Sequence, residues 1–168
     1  MEHISIDEVE QAATATDVDQ RVLAGALGTT DVAVNHYRLQ PDDRLSGDLH
    51  AHQDQEEVFV VIEGEVTFHT AQAEDDQVTV ADGEVVRFGP GEFQTGGNHG
   101  EEEAEVIALG APRDSEDVRV PRICPACDTE SVRVVPTEDG TFGFVCPECG
   151  EEGDDVDTLE NGMIGIGP

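Results

Sequence analysis

The chain has 168 residues, of which 39 are acidic and eight basic, for a formal net charge of -31 at pH 7. All eight basic residues are Arg and there is no Lys, which argues against nucleic acid or an anionic membrane as partner, since phosphate binding needs clustered Lys and Arg. Such self-repulsion pushes a compact fold apart in dilute buffer and is screened in concentrated salt, where the Debye length falls to roughly 3 Å near 1 M; spread along the whole chain, it reads as adaptation to a salt-filled cytoplasm, as in halophilic archaea, rather than as one acidic tail.

Residues 1–21 are polar, and Ser5 with Glu8 forms a capping-box pattern for a short helix. The first twenty residues have no basic start and no apolar run, so no secretory signal is expected. No stretch reaches the length needed to span a bilayer, and a cytoplasmic location is expected.

Residues 22–110 read as consecutive short strands at Asp31–Leu39, Leu49–His52, Glu57–Ile62, Val66–Ala71, Gln77–Val80, Val85–Phe88 and Glu105–Leu109. Turn signals such as Gln40-Pro41-Asp42-Asp43, Glu63-Gly64 and Gly89-Pro90-Gly91 punctuate them. Many short strands with no helices between them predict an all-β sandwich or closed barrel. Residues 111–122, with Pro112 and Pro121, read as a linker; 123–150 form a cysteine module; 151–168 form an acidic, Gly-rich tail.

In the cysteine module, Cys124-Pro-Ala-Cys127 and Cys146-Pro-Glu-Cys149 enclose 18 residues. Two thiolates three residues apart in a tight turn reach one ion, and a second such turn brought alongside by a hairpin completes a tetrahedron. The segments Ser131–Val135 and Thr141–Val145, around Thr137-Glu138-Asp139-Gly140, supply that hairpin. The spacing points to structural zinc on Cys124, Cys127, Cys146 and Cys149, with a redox dithiol pair as the alternative. A closed four-thiolate site leaves no position for catalysis. From Pro121 onward there are eleven acidic residues and two Arg, so the module reads as a stabilising element or a dock for a protein partner, not a nucleic-acid binder.

The other metal pattern lies in Gly47–Gly64. Strand alternation sends His50 and His52 to one face, and Glu57 opens the returning strand after a short turn. Two imidazoles and a carboxylate suit a first-row divalent metal. Glu57, Phe59 and Val61 share a face, so the site would stand on an apolar floor.

The spacing H-x-H-x4-E-x6-G, ending at Gly64, resembles the first cupin motif, although Arg44 stands where its opening glycine usually falls. Gly83–Asn98 resembles the second: Gly83, Gly91 and Asn98 match, and Gln94 stands where the fourth ligand, a His, is usual. The resemblance implies a cupin-type jelly-roll barrel with a metal at its centre, frequently a homodimer. The whole chain is similar to small haloarchaeal cupins that carry a C-terminal zinc ribbon.

Gln94 leaves three outcomes open. Its amide oxygen is neutral and harder than imidazole, tilting the site toward Mn or Fe over Ni or Zn. In the second the metal is held by His50, His52 and Glu57 alone, and in the third the cavity holds only a small molecule. Tyr37, Phe59 and Asn98 are the candidate substrate contacts. The function predicted is a metal-binding cupin that takes a small polar or anionic molecule; whether it turns that molecule over stays open, and an enzyme here would be an oxygenase, isomerase or decarboxylase. The alternative is a non-catalytic binding or interaction module.

Overall fold

The structure, a computed structural model, describes residues 1–12, 18–70, 76–138 and 140–159. Ala71 at the end of one expected strand, Asp139 in the expected hairpin turn and residues 160–168 of the tail lie outside them.

Thirteen strands are present among the described residues. In chain order they are β1 (Asp19–Val22), β2 (Ala33–Leu39), β3 (Ala51–His52), β4 (Glu56–Glu63), β5 (Glu65–Thr70), β6 (Gln77–Ala81), β7 (Val85–Phe88), β8 (Gln94–Gly97), β9 (Ala104–Ala111), β10 (Val118–Val120), β11 (Val132–Pro136), β12 (Phe142–Val145) and β13 (Glu152–Gly153). One short helix, α1 (Leu23–Leu27), follows β1 and ends on Gly28 in the left-handed conformation. The fold is all-β, as the strand-and-turn punctuation predicts.

Two antiparallel sheets make the barrel, with strand orders β1-β2-β9-β4-β7 and β6-β5-β8. Alternation carries the core: on β9, Ala104, Val106, Ala108 and Gly110 are buried and the residues between them half-buried. Leu39, Val61, Val66 and Val106 pack with Phe59, Phe68 and Phe88. The three rings form one cluster, with centroids 4.9 Å apart for Phe59–Phe68 and 5.4 Å for Phe68–Phe88. Burying each contributes about 1.5–3 kcal/mol, so they dominate this small core. Gly64 turns β4 into β5 at φ +75°, and a Cβ there would lie 2.7 Å from the Glu103 carbonyl oxygen.

The third sheet has the order β13-β12-β11-β10-β3. It joins the cysteine module to β3, the strand that carries His52. The segment expected as a linker, 111–122, therefore holds β10, which pairs with β3 on one side and β11 on the other. Likewise the first barrel sheet begins at Asp19 rather than at residue 22. At the N-terminus the Ser5–Glu8 pattern yields only a 3-10 turn over Ile6–Glu8. Ser5 is extended and its side chain makes no cap bond, because one turn offers too few backbone donors to hold a reciprocal box.

Candidate metal centre

His50 lies just before β3 and pairs directly with Gln94. His50 N donates to Gln94 O at 3.1 Å and Gln94 N donates to His50 O at 2.8 Å. Directly opposed residues share a face, so the two side chains meet. His52, two residues on, shares the face of His50, and the rings meet edge to face at 5.3 Å. Glu57 enters from β4. His50, His52 and Glu57 each offer a ligand atom, all within 4.8 Å of one another.

The hydrogen bonds prepare these atoms for a cation. His50 Nδ1 lies 3.0 Å from the Asp48 carbonyl oxygen. A carbonyl only accepts, so Nδ1 is the donor, and in the neutral ring the Nε2 lone pair faces Gln94 Nε2 and the centre. His52 Nε2 lies 3.6 Å from Glu57 Oε1. Burial holds His52 below the usual imidazole range, with the Glu57 charge opposing and the His50 charge assisting, so it is a neutral ligand near pH 7. Gln94 is buried; its Nε2 donates to Glu57 Oε2 at 2.9 Å and approaches His50 Nε2 at 3.3 Å. Its Oε1 is buried and accepts nothing. Half a turn of the amide would bring that orphaned oxygen to the ligand atoms. The residues present thus fit a divalent metal in either of two ways: three protein ligands with Gln94 steadying the carboxylate, or four with Gln94 oxygen included.

A cavity of about 460 Å³ opens over this cluster, lined among others by Asn35, Tyr37, Phe59, Arg113 and Ser115. Phe59 forms its apolar floor, as the Glu57–Phe59–Val61 alternation predicts. Tyr37 accepts a 2.9 Å hydrogen bond from Gln20 Nε2. Burial pushes its phenol up to about 12, with the Glu57 charge adding and the Gln20 bond opposing. The hydroxyl therefore keeps its proton and is free to donate it to a ligand. On β2 the inward set is Ala33, Asn35 and Tyr37; His36 is buried on the other face, with Nε2 2.6 Å from Glu105 Oε1.

Asn98 is a correction. It is fully buried away from the cavity and bonds only to the chain: Nδ2 donates to Leu39 O at 2.9 Å and Glu102 O at 2.7 Å, and Oδ1 accepts from Gly100 N at 2.9 Å. Shared parity with Gln94 is not enough, because Asn98 lies past the end of β8, where the backbone turns away from the strand direction. Sequence reasoning also missed Asp48, whose carbonyl sets the His50 tautomer, and Ser115 and Arg113, which reach the cavity from the segment read as a linker. No periodicity marks them; the pairing of β10 with β3 carries them there.

In the cysteine module Cys124 Sγ lies 3.7 Å from Cys149 Sγ, and Cys127 Sγ lies 3.5 Å from Cys146 Sγ. A tetrahedron of Zn–S bonds near 2.3 Å has an edge of about 3.8 Å, so the spacing is that of a metal site rather than of a disulfide. The two turns repeat each other. Asp128 N donates to Cys124 O and Gly150 N to Cys146 O, while Cys124 N donates to Thr129 O and Cys146 N to Glu151 O. Asp128 and Gly150 both have positive φ, +59° and +77°. This geometry fits a zinc ribbon, with β11 and β12 as its hairpin.

Residues 35–110 match the cupin domain family. This barrel is a cupin. Among solved structures, a sugar phosphate isomerase of the cupin superfamily from Silicibacter pomeroyi superposes with a TM-score of 0.66 at 19% identity, covering 92% of this chain and 99% of that one. A conserved double-stranded β-helix protein from Klebsiella pneumoniae gives 0.55 at 21% identity, over 68% and 92% of the two chains. An oxalate oxidase in complex with glycolate gives 0.53 at 18% identity, over 69% and 61%. No curated protein matches the sequence. The cupin barrel thus carries a second, zinc-ribbon-like module on β10, the strand that pairs with β3 and its His52.

Proposed function

We propose that the cupin barrel holds a divalent first-row metal, Mn, Fe, Ni or Zn, at His50, His52 and Glu57, and binds a small oxygen-rich molecule beside it. The observation that carries this reading is the convergence of His50, His52 and Glu57, whose ligand atoms lie within 4.8 Å of one another, with His50 Nδ1 fixed by Asp48 and the carboxylate steadied by Gln94. Such a metal supplies Lewis-acid polarisation of a bound carbonyl or hydroxyl oxygen. The chain's own contribution is to orient the ligand. Tyr37 donates a hydrogen bond from a phenol that stays protonated, and Phe59 keeps water from the floor. The descriptions of two structural neighbours, a sugar phosphate isomerase and an oxalate oxidase bound to glycolate, are in keeping with a small polyoxygenated ligand. Isomerase, oxygenase and decarboxylase chemistry all begin from that complex. The test is a cobalt-loaded protein titrated with a small hydroxy acid. A shift in the cobalt visible bands that saturates, and that is lost in His50→Ala protein, supports the reading; unchanged bands count against it.

A second reading, a barrel that binds without turnover, is favoured by Gln94, which bonds to Glu57 and closes the site without a metal. Full ligand affinity in metal-stripped protein would support it.

The ribbon's role in this proposal is a zinc-held structural element that also offers a dock for a protein partner, and the barrel's is a homodimer. The setting we propose is a salt-rich cytoplasm, resting on the net charge of -31. No helix among the described residues is long and apolar enough to cross a membrane. Melting temperature should climb from dilute buffer to molar salt as the repulsion is screened; a flat profile would count against the setting.

A further inference from the structure

The sheet shared by ribbon and barrel has two faces, and one of them leads away from the metal ligands. Register fixes its members. His52 stands opposite Val118, and Val118 and Val120 share a face. Val120 stands opposite Val132, Val132 and Val134 share that face, and Pro136, two residues further, stands opposite Phe142. The inner part of this face, at Val132 and Phe144, is covered by Val156 in the ribbon's own core. The rest is open. A groove of about 810 Å³ runs over it, lined by His50 and His52 at one end and by Val118, Val134, Pro136 and Phe142 beyond them. Phe142 is 54% exposed, a conspicuous apolar surface on a chain this acidic.

Four strands, β3, β10, β11 and β12, separate His52 from Phe142 by three strand spacings, or about 14 Å. The two histidines line this groove and the smaller cavity alike, so a molecule with its head at the metal centre can lay its body along the ribbon. The charged groups at the groove's edge are of both signs. Asp48 is engaged by Arg122 at 2.5 Å, and Glu116 and Asp157 are accompanied by Arg133. With these charges nearly balanced, the apolar side chains of the sheet face favour an uncharged body.

We propose that the ribbon forms half of the ligand site, and that the ligand is an amphipathic molecule: an oxygen-bearing chelating head at His50 and His52, and an uncharged aliphatic or aromatic body along Val118, Val134 and Phe142. The inference rests on the metal-centre reading for the head and on the sheet face for the body.

The probes that separate the two are acetohydroxamate, hexanohydroxamate and octanohydroxamate, titrated calorimetrically into the full chain carrying the metal it retains on purification. Affinity should rise about fourfold for each methylene that reaches the groove. In Phe142→Ser protein, where an exposed side chain is changed and the fold is checked by circular dichroism and zinc content, the rise should flatten while acetohydroxamate binds as before. If acetohydroxamate binds but the longer chains gain nothing, the groove is overturned and the metal centre stands. If octanohydroxamate binds parent and His50→Ala/His52→Ala protein alike while acetohydroxamate does not bind, the groove stands and the metal centre falls. No binding of any probe overturns both.

Discussion

Gln94 donates its amide hydrogen to Glu57 Oε2 at 2.9 Å while its own buried oxygen accepts nothing. A neutral side chain thus stands where a third imidazole, the fourth ligand, is usual, and it works through the carboxylate. Gln94→Ala should leave Glu57 unsteadied and weaken barrel metal binding roughly 10- to 100-fold, the range for loss of a ligand-orienting partner. Gln94→His should tighten Zn and Ni over Mn. Competition titration against a chelating dye measures both. Equal affinity in parent and Gln94→Ala protein would remove Gln94 from the site.

Gly64 closes the β4–β5 turn at φ +75°, with the Glu103 carbonyl oxygen 2.7 Å from where a Cβ would stand. Gly64→Ala combines a left-handed backbone with a clash against main chain that cannot rotate away. A loss of about 1–3 kcal/mol is expected by denaturant unfolding. An unchanged midpoint would mean the turn relaxes.

Asp54 ties the segment that follows β9 to the cavity mouth. Its Oδ1 accepts from Ser115 Oγ at 2.5 Å and its Oδ2 from Glu116 N at 2.7 Å. The Ser115 bond, first among the causes, holds the carboxyl below its ordinary 3.8. A folded value below the unfolded one means that the stabilisation is complete above about pH 4 and is lost as pH falls through the folded value. Asp54→Asn should therefore speed hydrogen exchange at Glu116 near neutral pH, with the gap from the parent closing below about pH 4. A gap that persists in acid would point to a shape effect rather than to the charge.

Much of this was legible in the sequence. The strands at Val85–Phe88 and Gln77–Val80, the His50/His52/Glu57 cluster and the four-cysteine geometry all follow from period-two alternation and fixed spacings, which are local. What was not legible is non-local. Nothing in Val118–Val120 announces that it joins two modules, because three residues between prolines carry no periodicity. Asn98 shows the complementary error, a parity argument extended past the end of β8. Asp48 acts through its backbone carbonyl, which residue type does not reveal.

That non-local join has a consequence. Zinc contributes about 10–16 kcal/mol in small finger-like modules, more than the few buried side chains of this ribbon can supply. Cys124→Ser should release the zinc and melt β11 and β12. Because β10 pairs with both β11 and β3, it should also weaken metal binding at His52. Zinc content and barrel affinity, measured together, check this; a ribbon that loses zinc with no change at the barrel would show that β3 is held by the barrel alone.

The most direct measurement is the metal content of protein purified in high salt, parent against His50→Ala/His52→Ala. One closed thiolate site and one barrel site predict about two ions per parent chain and about one in the variant, with zinc retained. The same total in both proteins would contradict a metal centre at His50, His52 and Glu57.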